Sequence, residues 1–106
     1  MAQKALGQSN PVAATLTDIY TVPAAKYAVI SSIVVCNRSA VATSFRVSVA
    51  VAGAANDVKQ YLYYDVPIPG NDVFVATIGI TLAATDVVRV YATLATLSFN
   101  LFGTEN

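Results

Sequence analysis

Alternation of apolar and polar residues runs through most of this chain and predicts β-strands. The clearest stretch is Tyr27 to Val51, an apolar run, a polar corner at residues 37–39 and a second alternating run. The first run, Tyr27 to Cys36, is rich in β-branched residues on both faces, which is typical of a central strand buried on both sides. In the second run the predicted core face holds Phe45, Val47, Val49 and Val51, and the opposite face holds Arg46, Ser48 and Ala50.

Similar patterns predict further strands before and after this pair. They lie at residues 15–22, 58–65, 72–82, 87–94 and 97–102, with a bulge or corner expected at Gly79. Turn signals separate them, such as Pro23, the loop at 53–57 and the Pro67, Pro69, Gly70, Asn71 group. The chain is therefore predicted to be all-β, a single antiparallel β-sandwich of about seven to eight strands. Jelly-roll and immunoglobulin-like connectivity both fit this pattern.

The first part of the chain lacks strand signals. Residues 1–14 carry Gly7, Ser9, Asn10 and Pro11 among small side chains, which predicts an extended N-terminal arm before a sandwich domain at residues 15–106. Such an arm is expected to reach a neighbouring protein, with Leu6, Gln8 and Pro11 as contact residues. Deleting residues 2–11 is then expected to leave the fold intact and to weaken attachment.

The strand at residues 58–65 carries three tyrosines. Strict alternation predicts that Tyr61 and Tyr63 share one face and that Tyr64 lies on the other. All three are the best candidates for a contact surface, and the alternative is that Tyr64 packs in the core while the other two line the outer face. Tyrosine is enriched at protein interfaces because it brings a large, fairly rigid surface with a polar tip. Tyr61 and Tyr63 are therefore candidate contact residues, for another subunit or for a sugar; the alternative is an outer face without a partner.

Composition favours contact with other protein chains. Apolar residues make up 56% of the 106 residues and charged residues 11%, against about 25% charged in a typical soluble domain. A monomer with so few charges would expose apolar surface, which protein partners usually cover. The alternative is that small alanines lie singly on the surface, where they are harmless.

The charge balance argues against two classes of partner. Six basic and six acidic residues give zero formal net charge without clustering, so neither nucleic acid nor an anionic membrane is expected as a partner. The longest uncharged stretch, residues 90–104, is too short and too polar for a span, which needs about 20 apolar residues. The N-terminus lacks an apolar core of signal-peptide type, so synthesis in the cytoplasm is expected.

Candidate chemistry is sparse. The chain has no histidine, the usual general base and the commonest metal ligand. Cys36 is its single cysteine, expected as a buried thiol, so neither an intrachain disulfide nor a structural zinc site is predicted. The acidic residues are separated, several of them beside turns where Asp bonds the local backbone. No enzyme activity, metal or cofactor is expected.

Three runs resemble small virion structural proteins of tailed bacteriophages. They are residues 16–24 (LTDIYTVPA), 28–39 (AVISSIVVCNRS) and 45–49 (FRVSV), and the resemblance covers residues 6–65 with a looser similarity at residues 103–105. The resemblance implies a protein without catalytic activity that attaches to a capsid, neck or tail in many copies. Decoration or cement proteins of this kind are often β-sandwich trimers that reinforce junctions between major capsid subunits.

The expected function is therefore capsid decoration by a homotrimer on the virion surface, bound to the major capsid protein or other virion proteins. The resemblance leaves a tail, neck or fibre-base role as an alternative. A different class, a carbohydrate-binding β-sandwich, would use exposed Tyr61 and Tyr63 rings. The resemblance transfers no individual site residue, because its shared motifs are of structural type.

Overall fold

The structure, a computed structural model, describes residues 3–106 and contains eight strands in that range, which confirms the all-β prediction. The strands are β1 (Lys4–Ser9), β2 (Thr17–Thr21), β3 (Ala28–Asn37), β4 (Thr43–Ala50), β5 (Tyr61–Ile68), β6 (Val73–Leu82), β7 (Val87–Ala92) and β8 (Leu97–Glu105). Two short 3₁₀ turns, Val51–Gly53 and Val58–Gln60, lie in the connection between β4 and β5.

The strands form two four-stranded sheets. Sheet A has the order β1-β8-β3-β6 and sheet B the order β2-β7-β4-β5, with antiparallel neighbours throughout. An immunoglobulin-like sandwich would place the first two strands in one sheet. Here successive strands lie in different layers except β4 and β5, which pair within sheet B, and the last two strands pair with the first two, β8 with β1 and β7 with β2. This order is the eight-stranded jelly roll.

The core lies between the sheets and is built largely by the period-two alternation of β3, β4, β7 and β8. In β4 the predicted alternation holds only through Val47, since Ser48 and Ala50 are buried and Val51 is exposed. Its largest fully buried side chains are Phe45, Phe99, Ile30, Ile33, Ile68, Leu82, Leu97 and Leu101. The expectation that β3 is buried on both faces was wrong, because sheet A has water on its outer side. Val29 and Val34 are only partly buried, and Cys36 is exposed rather than buried.

The segment predicted as an arm contains a strand. Residues 1 and 2 lie outside the described range, but Lys4–Ser9 pairs with β8 from Lys4 opposite Gly103 to Ser9 opposite Phe99. Leu6 packs against the core and Pro11 is buried. This strand forms because β8 pairs with β3 on one side only, and its backbone N–H and C=O groups on the other side need hydrogen-bond partners. β1 supplies those partners. We therefore expect removal of residues 2–11 to weaken the fold, contrary to the expectation from the sequence.

Register shifts occur in five of the six strand pairs, and those in β6 and β5 bear on the sequence-based predictions. The register between β3 and β6 shifts between Thr77 and Ile80, which confirms the irregularity predicted at Gly79. Strand β5 shifts twice against β4, once opposite Phe45–Val47 and once opposite Val47–Ser48. Each shift adds a residue to β5 and reverses which face its later side chains occupy.

Candidate contact surface on the outer face of sheet B

An arginine surrounded by tyrosine rings lies on the outer face of sheet B. Arg46 on β4 is opposite Tyr91 on β7, and Tyr61 and Tyr64 reach it from β5. Its guanidinium carbon lies 4.2 Å from the ring centre of Tyr64, 4.4 Å from that of Tyr91 and 5.9 Å from that of Tyr61. These distances are in the range of cation–π attraction. We refer to Arg46, Tyr61, Tyr64, Asp65 and Tyr91 as the Arg46 cluster.

Asp65 holds the guanidinium in place. Arg46 Nε donates a 2.7 Å hydrogen bond to Asp65 Oδ1, and Nη2 is 3.4 Å from Oδ2. This hydrogen bond raises the pKa of Arg46 above its already high usual value, so the guanidinium stays charged in any physiological medium. Since the ion pair cancels within the cluster, the surface offers aromatic area without net charge.

The bulges of β5 decide which tyrosines reach this surface. Tyr61 and Tyr64 share the outer face and meet edge to face with ring centres 4.9 Å apart. Tyr63 instead turns inward, with its ring 5.4 Å from that of Phe74 and 6.4 Å from that of Phe45. Asp65, between the two faces, has a φ of 50°, which Asp tolerates better than most residues.

The predicted faces of β5 are therefore correct for Tyr61 and wrong for the other two tyrosines. Tyr64, predicted to lie on the face opposite Tyr61, shares the outer face with it and is 56% exposed, so the alternative that it packs in the core is wrong. Tyr63, predicted as an outward contact residue, lies at the margin of the core. Strict alternation failed because the two register shifts place extra residues between the tyrosines.

The exposed part of the cluster has the composition of a protein-binding surface. The Tyr64 side chain, 56% exposed, presents apolar area beside the partly covered Arg46. Tyrosine and arginine are the residue types most enriched among those that dominate binding energies. A tyrosine has few rotatable bonds, so fixing its ring on a partner costs little conformational entropy.

The other predicted contact residues lie in the opposite layer. Leu6 is half-buried and Pro11 buried, while Gln8 is exposed and its Nε2 donates a 2.7 Å hydrogen bond to Asn100 Oδ1. Gln8 and Asn100 line a shallow depression of about 370 Å³ on sheet A. The structure therefore does not bring these residues together with Tyr61.

The carboxylates serve structural roles. Asp57, Asp72 and Asp86 accept hydrogen bonds from backbone N–H groups at turns, as predicted, and Asp86 accepts two, from Ala52 and Ala83. Asp18 pairs with Arg89 at 3.0 Å. Within residues 3–106 there is no group of three or more metal-ligating side chains, and no helix of that range has the length and hydropathy to cross a bilayer.

Arg46 and Tyr91 were not recognised from the sequence as members of a site. The alternation of β4 placed Arg46 on the face opposite the predicted core face, but nothing along the chain indicates that Tyr91 is its cross-strand neighbour. The signal that could have found them is the presence of Arg and Tyr at outward positions of two strands that a jelly roll places side by side.

The strand order defines a jelly-roll β-sandwich, and the Arg46 cluster is its candidate contact surface. Comparison with protein-family models, with curated proteins and with solved structures finds no match for this chain. The resemblance to phage virion proteins therefore enters below as part of a proposal.

Proposed function

We propose that this protein is a non-enzymatic structural protein of a phage virion, a decoration or cement protein that binds the major capsid shell in many copies as a homotrimer. The observation that carries the proposal is the exposed Arg46 cluster on the rigid outer face of sheet B. The sequence resemblance supports the phage assignment, and viral capsid domains are among the known uses of the jelly roll.

The cluster suits attachment to a repeated lattice. Its rings are braced by a central guanidinium, so the surface is already in a binding geometry before a partner arrives. With Arg46 neutralised by Asp65, binding does not require a charged patch on the shell. Attachment through several copies multiplies a modest contact into strong binding without further contacts.

Co-sedimentation with shells of the source phage's major capsid protein tests this proposal. The wild-type protein is expected to sediment with the shells, and Tyr64→Ala is expected to bind at least tenfold more weakly, as for truncation of a central interface tyrosine. Tyr27→Ala is a matched control, since Tyr27 is 53% exposed and lies outside the cluster. Absence of wild-type binding, or equal binding by Tyr64→Ala, contradicts the proposal.

A tail, neck or fibre-base location is the structural alternative, and imaging of labelled copies in the virion separates it from the capsid surface. The exposed Tyr64 ring also favours a second class, a carbohydrate-binding module, because jelly rolls include lectins. Arg46 already covers part of that ring, which leaves less of it for a sugar. Glycan binding that is lost in Tyr64→Ala but retained in Tyr27→Ala would support the second class.

A further inference from the structure

A small cavity lies where β4 ends and the connection to β5 begins. Its volume is about 340 Å³, and it is lined by Val49, Val51, Ala54, Lys59 and Gln60. The first of these belongs to β4, and the other four come from the connection with its two 3₁₀ turns. Cavities that hold ligands range from about 300 to 1,000 Å³, so this one suits a small molecule or a single residue. We refer to it as the Gln60 pocket.

Gln60 is the buried polar side chain of this pocket. It is 7% exposed, and its Nε2 donates a 2.9 Å hydrogen bond to the carbonyl oxygen of Ala55. This bond fixes the orientation of the amide, because two carbonyl oxygens cannot bond each other. Oε1 is buried and has no hydrogen-bond partner among residues 3–106. A buried acceptor without a partner costs about 1–3 kcal/mol, so a ligand that supplies an N–H or O–H group is favoured.

The other walls of the pocket are apolar, with one positive charge beside them. Val49 packs against the core, whereas Val51 is 69% exposed. Lys59 is exposed and forms no ion pair with any residue of the described range. The nearby Asp57 accepts a hydrogen bond from the backbone N–H of Lys59. The Lys59 ammonium therefore remains available to an anionic group of a ligand.

These walls together specify the chemistry of a ligand. An apolar group suits the valines, an N–H group suits Gln60 Oε1 and a carboxylate suits Lys59. Because the complementary groups line one small cavity, the three groups of the ligand must lie within a few bonds of one another. An N-acylated amino acid with an apolar side chain carries all three around one carbon atom. The C-terminal residue of a peptide has the same chemistry.

We propose that the Gln60 pocket binds an N-acylated apolar amino acid, either free or as the C-terminal residue of a peptide. The side chain of the ligand contacts Val49 and Val51, its amide N–H donates to Gln60 Oε1, and its carboxylate pairs with Lys59. The inference goes beyond the proposed function and does not depend on it, because the pocket shares no residue with the Arg46 cluster.

NMR titration with N-acetyl-L-leucine tests the inference on the wild-type protein. Saturable shifts of the Gln60 side-chain amide and of the Val49 and Val51 methyl signals are expected, with a Kd on the order of 1 mM for a ligand of this size. Two analogues are expected to bind at least about fivefold more weakly. One is N-acetyl-L-leucine amide, which lacks the carboxylate, and the other is the ester in which oxygen replaces the N–H group. Absence of saturable shifts, or equal affinity for the acid and either analogue, overturns the inference.

Two variants assign the groups of the ligand to residues of the pocket. Lys59→Ala is expected to bind the acid and the amide equally, whereas the control Lys26→Ala, an exposed lysine outside the pocket, keeps the preference for the acid. Gln60→Met retains the length of the side chain without the acceptor and is expected to bind the acid and the ester equally. An unchanged preference in either variant overturns the proposed contacts. If Gln60→Met does not fold, the comparison of acid and ester in wild type decides.

A peptide separates the two sources of this ligand chemistry. Acetyl-Gly-Gly-Leu with a free carboxylate is expected to bind more tightly than N-acetyl-L-leucine if the pocket recognises the end of a protein chain. Equal affinity, with the same dependence on Lys59 and Gln60, supports the free N-acylated amino acid. Loss of all binding by the peptide excludes the chain terminus and leaves the free acid as the ligand.

Discussion

The guanidinium of Arg46 lies 4.2 Å from the centre of the Tyr64 ring, and the adjacent Asp65 holds it there through a 2.7 Å hydrogen bond. Three residues of two neighbouring strands thus stabilise one another on a surface that faces solvent. A lysine would carry the same charge, but it lacks the planar guanidinium group that can stack on a ring and donate hydrogen bonds to a carboxylate at the same time.

Arg46→Lys is expected to lower the free energy of unfolding by about 1 kcal/mol, the sum of modest cation–π and surface ion-pair contributions. Urea denaturation measures this change, and NMR signals of the Tyr64 and Tyr91 rings are expected to move. Arg89→Lys is the comparison variant, because Arg89 pairs with Asp18 and lies outside the cluster. Unmoved ring signals in Arg46→Lys would contradict the braced arrangement.

Removal of residues 2–9 is expected to destabilise the fold by at least about 2 kcal/mol, because it deletes β1, the half-buried Leu6 and the partners of the β8 edge. Thermal unfolding followed by circular dichroism measures the loss. Removal of residues 2–3 alone retains β1 and is expected to leave the melting temperature within a degree or so. Equal stability of the two shortened chains would show that residues 4–9 do not stabilise the fold.

Tyr20 and Glu105 link the two sheets and predict a pH dependence. The Tyr20 hydroxyl donates a 2.6 Å hydrogen bond to Glu105 Oε1. This bond, with the nearby Lys4, lowers the pKa of Glu105 below its ordinary 4.5, so its contribution to stability is present above pH 4.5 and lost as pH falls through the lower, folded-state pKa. Burial and then Glu105 raise the pKa of Tyr20 above its ordinary 10.0, so its contribution is present below pH 10.0 and lost as pH rises through the folded-state value.

Tyr20→Phe removes this bond and is expected to flatten the stability profile at both extremes. Urea denaturation across the pH range, compared between wild type and Tyr20→Phe, measures the difference. Tyr27→Phe is the control, since Tyr27 makes no contact with Glu105 through its hydroxyl. Parallel profiles for wild type and Tyr20→Phe would show that the bond does not couple folding to pH.

Two glycines of sheet A are expected to respond in opposite ways to a methyl group. A Cβ at Gly103 would overlap the carbonyl oxygen of Val29 and lie 2.9 Å from Ile30 Cα, so β8 and β3 would have to separate. Gly103→Ala is expected to cost on the order of 3 kcal/mol. At Gly79 a Cβ meets no atom within 4 Å, and Gly79→Ala is expected to be neutral or stabilising by about 0.5 kcal/mol. Chemical denaturation of both variants checks this contrast, which equal costs would refute.

The fold class and most of the core could be predicted from the amino-acid sequence, because both depend on local patterns. The alternation at Phe45 and Val47, and at Leu97, Phe99 and Leu101, assigns these side chains to one face of a strand whatever strand lies beside it. The turn signals at Pro23 and Pro69 likewise act within a few residues. The irregularity at Gly79 was predictable for the same reason.

The connectivity of the strands and the membership of the Arg46 cluster could not be predicted in this way, because they depend on contacts between distant segments. The pairing of Lys4–Ser9 with β8, and the cross-strand position of Tyr91 beside Arg46, depend on partners far away in the chain. The bulges that turn Tyr63 inward and Tyr64 outward arise in the register between β5 and β4. Register and strand order are set by backbone hydrogen bonds between distant segments, and no local pattern of side chains encodes which segments those are.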